Sequence, residues 1–142
     1  MIYLLDTNVI SELIKPIPDA NVIEWIQYVQ TEHLAISVLT IGEIRKGIEK
    51  TINPTRKAGL IRWLEIDLAE WFGARVIPVN SDVADKWGYI CGQSSKTLPA
   101  IDGLLAASAL VYNMKIVTRN VKDFESVEGL ELVNPWDDID YK

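Results

Sequence analysis

Ile2-Tyr3-Leu4-Leu5-Asp6-Thr7-Asn8 opens the chain: four apolar or aromatic residues in a row, stopping on an acid. A run without polar alternation reads as a strand buried on both faces, as in a parallel sheet. A carboxylate directly after such a strand stands at its C-terminal edge, where open α/β sheets bind ligands. The next residues, Val9 to Ile14, have helical character and end at Lys15-Pro16. Asp6 is therefore expected at a strand-to-helix junction, as a helix cap or as a ligand.

The same alternation continues along the chain. Asp19 is expected to cap a helix to about Gln30, and Leu34 to Leu39 reads as a second buried strand. An amphipathic helix follows from Thr40 to about Lys50, then a longer one from Pro54 to Phe72, ended by Gly73. Arg75 to Val79 is a third strand, and Asn80 or Ser81 caps the helix after it. Pro99 opens the most apolar helix, Ala100 to Tyr112. Lys115 to Asn120 and Leu130 to Val133 complete the strands. Strands alternating with helices, without repeats or a linker, predict one α/β domain over residues 1–142.

Composition narrows the chemistry. A single histidine, His33, and a single cysteine, Cys91, exclude an internal disulfide, a zinc site and a histidine-based triad. His33 reads as an exposed loop residue. No apolar run approaches the roughly 18 residues of a membrane span, and the start leads straight into a strand, so a cytoplasmic protein is expected. The net charge of −6 argues against gripping nucleic acid with the whole surface. The stretch from Arg45 to Arg62 nevertheless carries +5, leaving −11 on the rest. Such a band is either a solvated helix face or a guide for a phosphate backbone.

Asp102 is the anomaly. It lies near the start of a helix that is apolar on nearly every side, and a buried carboxylate without a partner costs several kcal/mol. The helix N-terminus offsets about 0.3–1 kcal/mol, so a cation must be supplied, by Arg119 or by a metal. Glu43 matches a capping box, Thr40-x-x-Glu43, before an apolar-periodic run. Yet Asp6 follows strand one, Glu43 strand two, and Thr118, Asn120 and Asp123 strand four. In a parallel sheet these junctions open on one edge. Oxygen ligands alone suit a hard octahedral cation, Mg²⁺ or Mn²⁺, and such sites serve phosphodiester hydrolysis.

Four ordered motifs resemble the PIN-domain ribonucleases, especially VapC-type toxins of prokaryotic toxin–antitoxin pairs. They are Asp6 to Ser11, Ser37 to Ile44, Ile101 to Ala107 and Val117 to Phe124, with Val133-Asn134-Pro135-Trp136 closing the match. The resemblance implies a three-layer α/β/α domain with a central, mainly parallel sheet. It implies Mg²⁺ on Asp6 and Asp102, with Mn²⁺ as substitute, and Glu43 completing an acidic pocket for endoribonuclease chemistry. Asn8 and Thr118 are expected to orient ligands or water. Family members often carry an acid where this chain has Asn120, a place that Asp123 can take. The resemblance also implies a homodimer and a small antitoxin that covers the pocket. The broad apolar face of the 54–72 helix, with Trp63 and Trp71, reads either as a thick core contact or as part of the dimer or antitoxin contact, and Arg45 and Lys46 are expected at the RNA.

Two rivals differ in class. A haloacid dehalogenase-type phosphatase needs a second acid two residues after the first, where this chain has Asn8. An inactive PIN-fold binding module, acting through partner contacts, is countered by the intact trio of acids.

Overall fold

The computed structural model describes residues 1–137. Five parallel strands form one sheet among them, in the order β3-β2-β1-β4-β5. They are β1 (Tyr3–Leu5), β2 (Leu34–Ser37), β3 (Val76–Ile77), β4 (Lys115–Val117) and β5 (Leu132–Val133). The opening apolar run is central, flanked by β2 and β4, as its lack of alternation demands. Successive residues feed opposite faces. Leu4, Ala35 and Ile116 join one core cluster, while Leu5, Leu34, Ile36 and Val117 join the other.

Helices cover both faces. On one side α6 (Ser81–Gln93) and α7 (Ala100–Val111) pack on the first cluster. On the other lie α1 (Thr7–Leu13), α2 (Ala20–Tyr28), α3 (Val38–Glu49) and the stretch from Pro54 to Phe72. This is the expected α/β/α layering. Asp19 caps α2 by accepting from the N–H groups of Asn21 and Val22, and Asn80 caps α6 by accepting from Val83. Among the described residues no helix is long and apolar enough to cross a membrane.

Several boundaries differ from the sequence reading, β3, β4 and β5 each being shorter than expected, and two differences bear on the site and its surroundings. β2 stops at Ser37, whose hydroxyl accepts from the Leu39 N–H and caps a helix that begins at Val38. The capping box is therefore not formed. Thr40 sits inside α3, fully buried, with its hydroxyl unpartnered, and Glu43 is free of any capping duty. The second difference lies in the long helix. α4 (Pro54–Arg62) passes into a π-helical segment (Trp63–Leu68) and then α5 (Ala69–Phe72). Gly73 ends it at φ +50°, a left-handed turn that glycine adopts without a Cβ penalty.

The apolar breadth of that helix goes mostly into the core. Leu64, Leu68 and Phe72 are buried, and Leu60, Ile61, Trp63 and Trp71 pack partly buried against the second cluster. Ile66 stays 48% exposed. The Arg75 guanidinium then ties the helix end to the sheet, donating to the carbonyls of Trp71, Thr31 and Leu34.

Candidate active site

The strand order fixes where a ligand can sit. β1 lies between β2 and β4, and the winding of the sheet reverses between β1 and β4. A crevice opens beyond the strand ends at such a switch point. Asp6 and Thr118 are the first residues past those two strands, and the Asp6 N–H still donates to the Val117 carbonyl at 2.9 Å. Both side chains are buried, at 8% and 0% exposure, and the Thr118 hydroxyl donates to Asp6 Oδ2 at 2.8 Å.

Asp6 caps α1 through one carboxylate oxygen and is held at the crevice through the other. Its Oδ1 accepts from the Thr7 N–H at 2.8 Å, the contact of a helix cap. Its Oδ2 takes the Thr118 hydroxyl and the Asn8 amide, the latter at 3.3 Å. Asn8 Nδ2 also reaches Thr118 Oγ1 at 3.2 Å, while Asn8 Oδ1 accepts from the Arg119 N–H. The Asp6 carboxylate is thus held by three donors, from Thr7, Asn8 and Thr118. Asn120 contributes its backbone, its N–H donating to Thr118 Oγ1 at 3.0 Å.

Glu43 comes to the same rim from α3. Its Oε1 accepts from the Thr7 hydroxyl at 2.6 Å across 36 residues of chain. Thr7 is the contributor that sequence reasoning missed: one residue orients both Asp6 and Glu43. Its position directly after the strand-ending acid was the available signal.

Asp102, in the first turn of α7, is half-buried, and no described cation pairs with it. The salt bridge to Arg119 is not formed. Arg119 is exposed and lies over the Trp136 ring, 5.3 Å from its centroid. Burial pushes the Asp102 carboxyl up to about 6, helped by the charges of Asp6, Asp123 and Glu43 in that order. Burial likewise raises Asp6, against the hydrogen bonds from Thr118 and Thr7, with Glu43 and Asp123 adding to the rise. The four predicted acids therefore share one electrostatic neighbourhood. Asp123, on an exposed turn after β4, acts on both buried aspartates.

This donor set fits a hard divalent cation: carboxylates only, two of them resisting ionisation, with no lysine or arginine among the described residues forming an ion pair with them. Among the described residues no three acidic, histidine or cysteine side chains close into a finished cage. His33 lies just before β2, at the opposite end of the strand from Ser37 and Glu43, and takes no part.

The basic band fares differently. Arg45 pairs with Glu49 at 3.0 Å and Glu65 at 3.3 Å, and Lys57 pairs with Glu49 at 2.9 Å. Glu65 lies just outside the Arg45–Arg62 window, so the window overstated the free charge. Lys46 remains exposed.

Known proteins share this architecture. The chain is 34% identical over 137 residues to VapC ribonuclease Y4jK of Sinorhizobium fredii, spanning 94% of this chain and 97% of that one. It is 32% identical over 138 residues to Toxin FitB of Neisseria gonorrhoeae, spanning 95% and 99%. The crystal structure of FitAcB from N. gonorrhoeae superposes with a TM-score of 0.88 at 31% identity, over 95% of this chain and 99% of that one. The structure of FitAB bound to an IR36 DNA fragment gives 0.89 at 29% identity, over 99% and 100%. The pattern that defines the PIN domain matches residues 3–130. That span takes in β1, the crevice and all four acids, and the chain belongs to the PIN-domain family.

Proposed function

We propose that this chain is a metal-dependent endoribonuclease, the toxin of a toxin–antitoxin pair, hydrolysing RNA phosphodiester bonds at its acidic rim. One observation carries the reading. Asp102 is a half-buried carboxylate raised to about 6 with three further acids around it and no described cation to pair with. A fold keeps such a group where the missing charge arrives with a ligand. The relatives named VapC ribonuclease and Toxin FitB support the same chemistry.

Asp6 and Asp102 hold the ion, Mg²⁺ with Mn²⁺ as substitute. When bound, such an ion lowers the pKa of water and offsets charge on phosphoryl oxygens. The chain's own residues do the rest. Thr7, Asn8 and Thr118 fix the Asp6 carboxylate, so its ligand geometry is set before the ion arrives. Glu43, held through one oxygen by Thr7, keeps the other to accept a proton from water. Asp123 takes the fourth acidic place, its charge acting on both Asp6 and Asp102.

A small antitoxin covers this rim, and two copies of the chain pair through the 54–72 helix, where Ile66 remains exposed. Lys46, exposed and outside these ion pairs, is the RNA contact from the start of the basic band, next to Arg45, which is engaged with Glu49 and Glu65. Sedimentation checks the pairing: a monomeric unmutated chain removes it.

The test of activity is direct. Purified protein cleaves RNA with Mg²⁺ and not in chelator, and Asp6→Asn and Asp102→Asn each lower the rate about 100-fold or more. Unchanged cleavage by either variant removes that residue from the site. An inactive PIN-fold binding module draws support from the unclosed cage, and absence of cleavage by the unmutated protein decides for it.

A further inference from the structure

Arg119 is an exposed guanidinium at the edge of an acidic crevice, and it makes no ion pair among the described residues. Two other arginines are spent inside the fold: Arg45 on Glu49 and Glu65, Arg75 on three carbonyls. The carboxylate near Arg119 is already taken. Glu12, in α1, accepts from Lys15 at 2.8 Å and from the Asp19 N–H at 2.9 Å.

Its placement is nevertheless fixed. The residue follows Thr118 directly, and its N–H donates to Asn8 Oδ1 at 3.3 Å, so its backbone belongs to the network around Asp6. Its guanidinium lies over the Trp136 ring. Trp136 is itself tied down, its carbonyl accepting from Asn21 Nδ2 at 2.9 Å and its N–H donating to Asn134 Oδ1 at 3.0 Å. An always-charged planar group, steadied on an indole, is therefore carried by the residue that directly follows Thr118, at the margin of acids that repel any phosphodiester.

We propose that Arg119 binds a backbone phosphate of single-stranded RNA next to the bond to be cut, with Trp136 as the residue that positions it. This rests on the ribonuclease reading and adds the contact that draws the strand to the acids. It also gives the closing Asn134-Pro135-Trp136 segment a purpose, as the support of that contact.

The test uses a short fluorescein-labelled RNA of mixed sequence and the full chain carrying Asp6→Asn, which binds without cutting. In that background Arg119→Gln raises the Kd about 10-fold and lowers the slope of log Kd against log salt by about 0.7, the share of one phosphate on a single strand. Arg119→Lys restores the slope, because charge is what it reads. Trp136→Leu, which keeps apolar bulk, weakens binding about 3-fold with the slope retained. With Asp6 restored, Arg119→Gln raises KM and leaves kcat close to the parent value. An unchanged Kd and slope for Arg119→Gln, in a parent that binds RNA, overturns the proposal alone. So does a variant that loses only its antitoxin, which makes the pair a protein-docking contact. A parent that neither binds nor cuts RNA overturns the ribonuclease reading, and this proposal with it.

Discussion

Asp102 carries its cost as a pH dependence. Its ordinary value is 3.8 and in the fold it stands at about 6, so the folded chain binds this proton more tightly than the unfolded chain. Between those values the metal-free fold loses stability as pH rises, and above both the full loss is in place. Asp102→Asn removes that loss. In chelator at pH 7.5 the variant is expected to melt higher than the parent by ~2–4 °C, about 1 kcal/mol, and near pH 4 the two converge. A lower melting temperature for the variant at pH 7.5 means that Asp102 has a cationic partner in solution. Glu12 has the opposite sign. Its hydrogen bond with Lys15, ahead of the one from Asp19, holds it below its ordinary 4.5. Its contribution is present above that value and is lost as pH falls through the depressed one. Glu12→Ala leaves the Asp19 N–H without its acceptor at the α1–α2 junction and is expected to cost ~1–3 kcal/mol, read as a lower urea midpoint with unchanged slope.

At the scale of elements, α7 brings Asp102 to the rim by packing tightly on α6. A Cβ at Gly103 would stand 3.0 Å from Trp87 Cδ1 and Nε1, and that Nε1 is buried without a partner. Gly103→Ala is therefore expected to push the indole aside, cost ~1–3 kcal/mol and weaken metal binding through the neighbouring Asp102. Calorimetric titration of Mg²⁺ checks the second effect. The elements themselves were readable in the sequence, since apolar runs and helical spacing mark what each segment buries. Their edges were less so. The Thr40-Glu43 spacing suits a helix start, but Ser37 caps one turn earlier and wins because β2 ends there. The π-helical turn at 63–68 left no mark, because its apolar spacing fits an α-helix equally well. Arg45 looked free because its second partner, Glu65, comes from another segment of the fold. Asp6, Glu43 and Asp123 were legible because residues that follow parallel strands share an edge, and Asp102 because a carboxylate stands out on an apolar helix.

For the whole molecule, the order β3-β2-β1-β4-β5 makes the site a property of topology. The four acids come from β1, α3, α7 and the turn after β4, so nothing short of the folded sheet assembles them. Metal binding at the proposed site would therefore be folding-linked. Free Mg²⁺ at 100 times its Kd is expected to add about 2.7 kcal/mol at pH 7.5, seen as a rise in melting temperature. The rise shrinks toward pH 5, where protons compete for Asp102. An equal rise for Asp6→Asn/Asp102→Asn places the ion elsewhere. The rim's excess of like charge also makes cofactor and inhibitor interchangeable in one respect. If the proposed antitoxin seats a lysine or arginine among these carboxylates, that cation would relax the same strain as the ion. Silencing the enzyme and fortifying it against unfolding would then be a single event, and a captured toxin would outlast a free one.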